Sequence, residues 1–253
     1  MPQDSRDLAS KVAHVTFAFW VMKICATTAG ETGGDLLSMT LKVGYLASTL
    51  ILLGFFLVVL VFQLRAKAFH PFLYWAVILA TSTAGTTMSD YMDRSLGLGY
   101  AAGATILVSL LAAVLLTWRL TLGSIAVDHI RDPRAEAFYW AAILVSNTLG
   151  TALGDYLADS SGLGYGLSNL LIAGGIALTV IGWRFTTISR TVLFWIAFVL
   201  TRPFGATMGD LLTKAPEKGG LGIGTIGSTL VLLSVLVLVL IFSTRRERSL
   251  AAA

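Results

Sequence analysis

The chain has 253 residues, of which 56% are hydrophobic and 13% charged, with a mean hydropathy of +0.80 and a formal net charge of +4. That balance excludes a soluble globular domain and points to a polytopic membrane protein. The small positive excess is no nucleic-acid signature, and the single cysteine, Cys25, excludes an intramolecular disulfide or a cysteine-built metal cage.

The first ten residues are polar, and the apolar stretch after them, near 12–34, is too long for the core of a cleaved leader, so no signal peptide is expected. Four runs without any charge follow along the chain, at 43–64, 95–118, 160–183 and 219–244, with 22, 24, 24 and 26 residues. A membrane-crossing helix needs roughly 20 apolar residues. Weaker apolar stretches alternate with them at 70–89, 137–154 and 190–209. With 12–34 these make four weaker spans, and two of the four carry a buried base, Lys23 in 12–34 and Arg202 in 190–209. The expected fold is all-α, with eight transmembrane helices in a single domain covering 1–253.

Twelve of the 18 Lys and Arg residues fall in the segments on the N-terminal side, among them Lys11, Arg65, Arg119, Arg131, Arg184 and Arg245. The opposite loops hold Lys42, Arg94, Lys214 and Lys218. The positive-inside rule then puts both termini in the cytoplasm. A bacterial cytoplasmic (inner) membrane is the expected location.

One phrase recurs four times. Trp20, Trp75, Trp140 and Trp195 are each followed 10 residues later by Gly30, Gly85, Gly150 and Gly205, and 15 residues later by Asp35, Asp90, Asp155 and Asp210. The tryptophans lie 55, 65 and 55 residues apart, which suggests a two-helix unit duplicated twice. The repeats run approximately 12–64, 68–120, 136–184 and 188–244, and the middle connection contains Asp128, His129 and Arg131. Two helices per repeat make all four repeats parallel, with their pseudo-axis along the membrane normal. The first helix of each repeat is rich in Thr, Ser, Gly and Ala and is expected to line an interior. The second is greasier and is expected to face lipid. The second helices open with Gly44/Ser48, Gly99/Gly103, Gly164/Ser168 and Gly224/Ser228, a small-x-x-x-small spacing that favours close helix contact. Repeat 4 carries a longer outer loop, with Lys214, Pro216, Glu217 and Lys218.

These residues carry a family resemblance. The chain resembles bacterial membrane proteins defined by a tandem repeat of unknown function, with four copies, two transmembrane segments per copy and a characteristic tryptophan. Trp20, Trp75, Trp140 and Trp195 match that tryptophan, and the resemblance covers about residues 12–244. It implies an architecture and no substrate.

An ionisable residue inside a membrane is a functional-site hypothesis by default. Asp35, Asp90, Asp155 and Asp210 recur at one depth and supply the hard oxygen ligands that suit Mg²⁺, Ca²⁺ or Mn²⁺. The bland alternative is that each caps a short following helix. Glu31 adds a fifth acid one turn before Asp35. Thr28, Thr83 and Thr148 precede the aspartates by two turns and would extend a polar track inward. Lys23 and Arg202 read as gating residues or counter-ions. The five acids exceed these two bases by three charges, which favours a cationic or protonatable cargo. The tryptophans read as interfacial anchors, with a cation–π gate as the alternative.

No nucleophile–base constellation, phosphate loop or metalloprotease signature is present, so no enzyme activity and no cofactor are expected. The first functional reading is a transporter for a metal or other small cation, with the aspartates as an outer-side metal site. The second is a carrier for a small organic solute, held by Lys23 or Arg202. The third is a non-transporting membrane scaffold, which a sealed interior with every aspartate salt-bridged would favour. The expected partners are the lipid bilayer and a small cation or solute, with no nucleic acid. A homo-oligomer is compatible with the sequence.

Overall fold

The computed structural model describes residues 11–127 and 130–251; Arg6, Asp128, His129 and the Arg248 side chain lie outside what it describes. Among the described residues the fold is helical throughout. The long helices are α1 (Phe17–Asp35), α2 (Tyr45–Arg65), α3 (Pro71–Asp90), α4 (Tyr100–Leu122), α5 (Pro133–Asp155), α6 (Gly164–Phe185), α7 (Arg190–Thr213) and α8 (Thr225–Ala251). Local chemistry starts several of them. Thr16 accepts a hydrogen bond from the Phe19 amide at the start of α1, and Asp132 does the same for Arg134 ahead of Pro133.

The first three repeats turn in the same way. Past its aspartate each inner helix loosens into one π-helical turn, at Leu36–Thr40, Tyr91–Ser95 and Tyr156–Ser160. The chain then passes Gly44, Gly99 and Gly164, with φ of 84°, 73° and 69°, a conformation that favours glycine. Gly224, with φ of 88°, has the same role in repeat 4. This corrects the reading of these glycines as helix contacts, since nothing lies within 4 Å of a Cβ added at any of the four.

Gly103 lies hard against the Asp93 carboxylate of its own repeat, but the close helix-to-helix contacts are on the inner helices. α1, α3, α5 and α7 pack in a closed ring, α1 on α3, α3 on α5, α5 on α7 and α7 on α1. Each outer helix lies against the inner helix of the next repeat: α2 on α3, α4 on α5, α6 on α7, and α8 back on α1. The ring closes through the glycine ten residues after each tryptophan. A Cβ at Gly30 would lie 2.3 Å from the Ser82 Cβ, at Gly85 2.9 Å from the Thr148 amide, at Gly150 2.2 Å from the Arg202 Cγ and at Gly205 2.5 Å from the Thr27 Oγ1. In three of the four contacts a glycine one turn on (Gly34, Gly154 or Gly209) extends the approach, against Thr86, Ala206 and Glu31. This is the small-x-x-x-small approach of helices packed without a hydrophobic driving force.

Among the described residues, five helices, α2, α4, α6, α7 and α8, are long and apolar enough to cross a membrane. The outer four present wide apolar surfaces, with Phe55, Ile106, Leu170 and Leu230 among the exposed side chains. α1, α3 and α5 fall short of that measure because their buried faces carry Thr, Ser, Asn and acidic groups.

The tryptophans mark one end of the ring and the aspartates the other. Trp75, Trp140 and Trp195 are buried, which corrects the interfacial-anchor reading for these three, while Trp20 is half-buried. The three buried rings pack edge-on or tilted against Phe19, Tyr74, Tyr139 and Phe194, the aromatic residues that directly precede the four tryptophans. The Tyr74 and Tyr139 hydroxyls meet at 2.5 Å. Where a cation does lie over a ring inside the bundle, it is Lys23 over Phe198, at 4.0 Å to the centroid, and not over a tryptophan.

Beside this aromatic layer, Glu136 is fully buried at the start of α5. It pairs with the Lys11 ammonium and accepts a hydrogen bond from the Gln63 amide at 3.2 Å. Lys11 also donates to the Leu64 carbonyl at 3.1 Å, so the segment before α1 is tied to the ends of α2 and α5.

The ring contacts predict a sharp positional contrast. Gly30→Ala forces a methyl into Ser82 and should destabilise the protein by about 1–3 kcal/mol, the usual range for overpacking. Gly54→Ala, where nothing lies within 4 Å of the added methyl, should be neutral. Thermal unfolding in detergent checks this, and equal midpoints for the two variants would contradict the packing.

Candidate functional site

Five levels of side chains, four residues apart on each inner helix, stack from the tryptophan end to the aspartate end. The first holds Phe19, Tyr74, Tyr139 and Phe194; the second Lys23, Ile78, Ile143 and Phe198; the third Thr27, Ser82, Asn147 and Arg202. The fourth holds Glu31, Thr86, Thr151 and Ala206, and the fifth the four aspartates. All are buried except Phe194, which is half-buried. The chemistry thus grades from aromatic, through polar, to acidic.

A continuous hydrogen-bonded chain occupies the middle levels. The Lys23 ammonium donates to Asn147 Oδ1 at 3.3 Å. Asn147 Nδ2 donates to the hydroxyls of Thr81 at 2.8 Å and Ser82 at 3.3 Å. Arg202 donates to the Ser82 carbonyl at 3.3 Å, to Thr86 at 2.5 Å and to Thr151 at 2.7 Å. Its other terminal nitrogen pairs with Glu31 Oε2 at 3.0 Å. Thr86 and Thr151 donate to the same carboxylate oxygen at 3.2 and 3.3 Å. All four repeats therefore meet at one buried Arg–Glu pair.

Thr28, Thr83 and Thr148 are not in this chain. Their hydroxyls turn back to the carbonyls of Ile24, Leu79 and Leu144, four residues earlier, at 2.9, 3.2 and 2.9 Å. The polar track runs one position before them in sequence, through Ser82, Asn147 and Arg202. Arg202 breaks the repeat pattern there because a buried Glu31 needs a counter-charge.

At the next level the four aspartates form two pairs. Arg94 bridges Asp90 at 3.1 Å and Asp155 at 3.0 Å. Lys214 bridges Asp35 at 2.8 Å and Asp210 at 3.1 Å. None of Asp35, Asp90 and Asp155 makes a side-chain capping bond, and the backbone continues in helical conformation past each, so the capping alternative does not apply. Glu31, Asp35 and Asp210 each bring one carboxylate oxygen within 4.8 Å of the others. Asp90 Oδ2 is buried with no hydrogen-bond partner.

Arg94 and Lys214 lie 120 residues apart, the spacing of the two halves, and each is four residues past its own aspartate. Met39 and Asp159 hold the matching positions in repeats 1 and 3. These four residues, with Tyr100, Tyr165 and Lys218, line a cavity of about 460 Å³ at the aspartate end. The charge balance changes accordingly. With Arg94 and Lys214 added to Lys23 and Arg202, the five acids exceed the four bases by one formal charge, where the sequence tally gave three. Burial disfavours the Lys214 ammonium, but Asp210 and Asp35 outweigh that and hold its pKa above the ordinary lysine range.

The Arg202–Glu31 pair makes a prediction of its own. Removing one partner leaves an uncompensated buried charge, so Arg202→Met should cost about 3–5 kcal/mol, whereas replacing both partners by apolar residues of similar volume is often neutral. The double variant Arg202→Met/Glu31→Met should therefore be more stable than Arg202→Met alone. Unfolding midpoints of the two variants measure the difference, and additive losses would contradict a direct pair.

The model of one repeat family, described as Repeat of Unknown Function (DUF347), matches residues 18–69, 73–123, 138–189 and 193–249. No curated protein and no solved structure matches the chain. The four matches coincide with the four two-helix units, each holding its own tryptophan, ring glycine and aspartate, and the chain belongs to this DUF347 repeat family.

Proposed function

We propose that the protein is an integral membrane transporter for a small cation, with a divalent metal as the leading class, and that the four repeat aspartates and Glu31 bind it. In this reading all eight helices cross the membrane. The three less apolar inner helices tolerate it because the outer helices shield them. The tryptophan end faces the cytoplasm, following the basic loops, and the aspartate end faces outward.

The observation that carries the reading is the convergence of one carboxylate from every repeat, plus Glu31, beneath a cavity at one end of the ring. Carboxylates withdrawn from water are costly, and five of them share three nearby bases, Arg94, Lys214 and Arg202. Carboxylate oxygens suit hard divalent cations. The buried levels beneath them favour a carrier over an open pore. A bound ion would cross only when the Arg202–Glu31 level and the aromatic level part.

The scaffold reading has support too, since the interior is sealed and all four aspartates are ion-paired. A sealed interior also describes a resting carrier, so flux separates the two. For an organic-solute carrier, the carboxylate-binding group would be Arg94, Lys214 or Lys218 in the cavity wall, because Arg202 is taken up by Glu31.

The test is flux of Mn²⁺, Mg²⁺ and Ca²⁺ into proteoliposomes. We expect wild-type uptake of at least one ion, reduced at least about tenfold by Asp35→Asn and by Asp210→Asn, with the folded fraction unchanged. Retained uptake in all four Asp→Asn variants would contradict the site. No uptake of any cation by the wild type would favour the scaffold.

A further inference from the structure

The two bridging cations are held differently. Arg94 lies within a helical turn, with the rings of Tyr45 and Tyr100 5.9 and 5.8 Å from its guanidinium and the Tyr45 hydroxyl 3.2 Å from one of its nitrogens. Its planar fork fits one arrangement. Lys214 follows the last residue of α7, where the backbone becomes extended (φ −68°, ψ 152°), and it opens the longest of the four aspartate-end loops. Its ammonium is a compact point charge on a flexible stem, and it lines the cavity.

Lys214 also sits where an ion would sit. Its Nζ lies 2.8 Å from Asp35 and 3.1 Å from Asp210, two of the three carboxylates whose oxygens come within 4.8 Å of one another. The third, Glu31, is held from the other side by Arg202. A divalent cation between Asp35 and Asp210 would replace one positive charge with two and could take Glu31 as a further ligand. The released lysine would swing into the cavity it already lines.

We propose that Lys214 is a tethered competitor, its ammonium occupying the cation subsite of Asp35, Asp210 and Glu31 in the resting protein and leaving when a divalent cation binds. Arg94 stays in place and neutralises the opposite pair, Asp90 and Asp155. The inference rests on the transporter reading and assigns a specificity role to a residue outside the acidic set. A monovalent ion only exchanges one charge for another at this subsite, whereas a divalent ion gains one, so displacement selects for valence.

Binding of Mn²⁺ alone, followed by electron paramagnetic resonance on purified protein in lipid nanodiscs, tests it. Lys214→Gln should tighten Mn²⁺ binding at least tenfold over wild type. Lys214→Arg, which keeps the cation, should not. Lys218→Gln removes the same charge from the same cavity without touching an aspartate and should change the affinity less than threefold. Size-exclusion profiles confirm that each variant is folded. Equal tightening by Lys218→Gln would overturn the proposal in favour of a general charge effect. Wild-type Mn²⁺ binding that Asp35→Asn abolishes but Lys214→Gln leaves unchanged would overturn the tethered competitor alone and leave the aspartate site standing. No Mn²⁺ binding in any variant would overturn both.

Discussion

Four helices can surround an axis only as closely as the side chains at their contacts allow. Here each contact is set by a glycine on one helix pressed against the neighbour, and in all four contacts there is no room for a methyl group. The ring is therefore narrow. Its interior is filled by side chains, and the buried polar groups find their partners on their own level or the adjacent one, as Arg202 does at Thr86, Thr151 and Glu31. The same closeness brings the acids of four separate repeats together, which four loosely packed helices would not do. The outer helices complete the arrangement by packing on the next repeat, with α8 returning to α1. No repeat stands alone.

Crowding of that kind has an electrostatic consequence. Acids drawn into a buried ring need positive partners, and the chain supplies them by breaking its own repetition. Arg202 replaces the small polar residues of the other repeats and meets Glu31. Arg94 and Lys214, from equivalent places in the two halves, each join an aspartate of their own repeat to one of the next. The four-fold pattern of sequence thereby becomes two-fold in charge. In the transporter reading the repeated aspartates supply the ligands, and the unrepeated charges at Arg94, Arg202 and Lys214 set how much of their negative charge is left for a cargo.

Much of the architecture was legible because it repeats. Trp20, Trp75, Trp140 and Trp195 with their glycines and aspartates gave the four units, the family and the inner and outer roles of the helices. The errors share one cause, which is that spacing along a helix does not say what a side chain touches. Gly44 and Gly99 have the spacing of contact glycines but serve a backbone with positive φ, and the true contact pairs, such as Gly30/Gly34, lay inside the phrase already noticed. Thr28, Thr83 and Thr148 share a face with the aspartates, yet hydroxyls in a helix bond readily to their own preceding turn. The tryptophans have the depth of interfacial anchors, and only the aromatic residue before each hinted at a buried layer. Arg94 and Lys214 read as loop charges in the sequence, yet their 120-residue separation and their place one turn past an aspartate mark them as a related pair. Glu136 carried no repeat signal, and its burial depends on Lys11 and Gln63 arriving from distant parts of the chain.

The central claim is a sealed, graded axis that opens only at the aspartate end. Thiol accessibility tests it most directly. In a Cys25→Ala background, single cysteines at Met39, Ile78 and Ile143 would be exposed to a membrane-impermeant maleimide applied to each side of oriented vesicles. The account predicts that Met39→Cys reacts from the outer side, and that Ile78→Cys and Ile143→Cys stay silent from both. Labelling of the isoleucine positions at rates near that of Met39→Cys would mean a water-filled axis and would contradict the account.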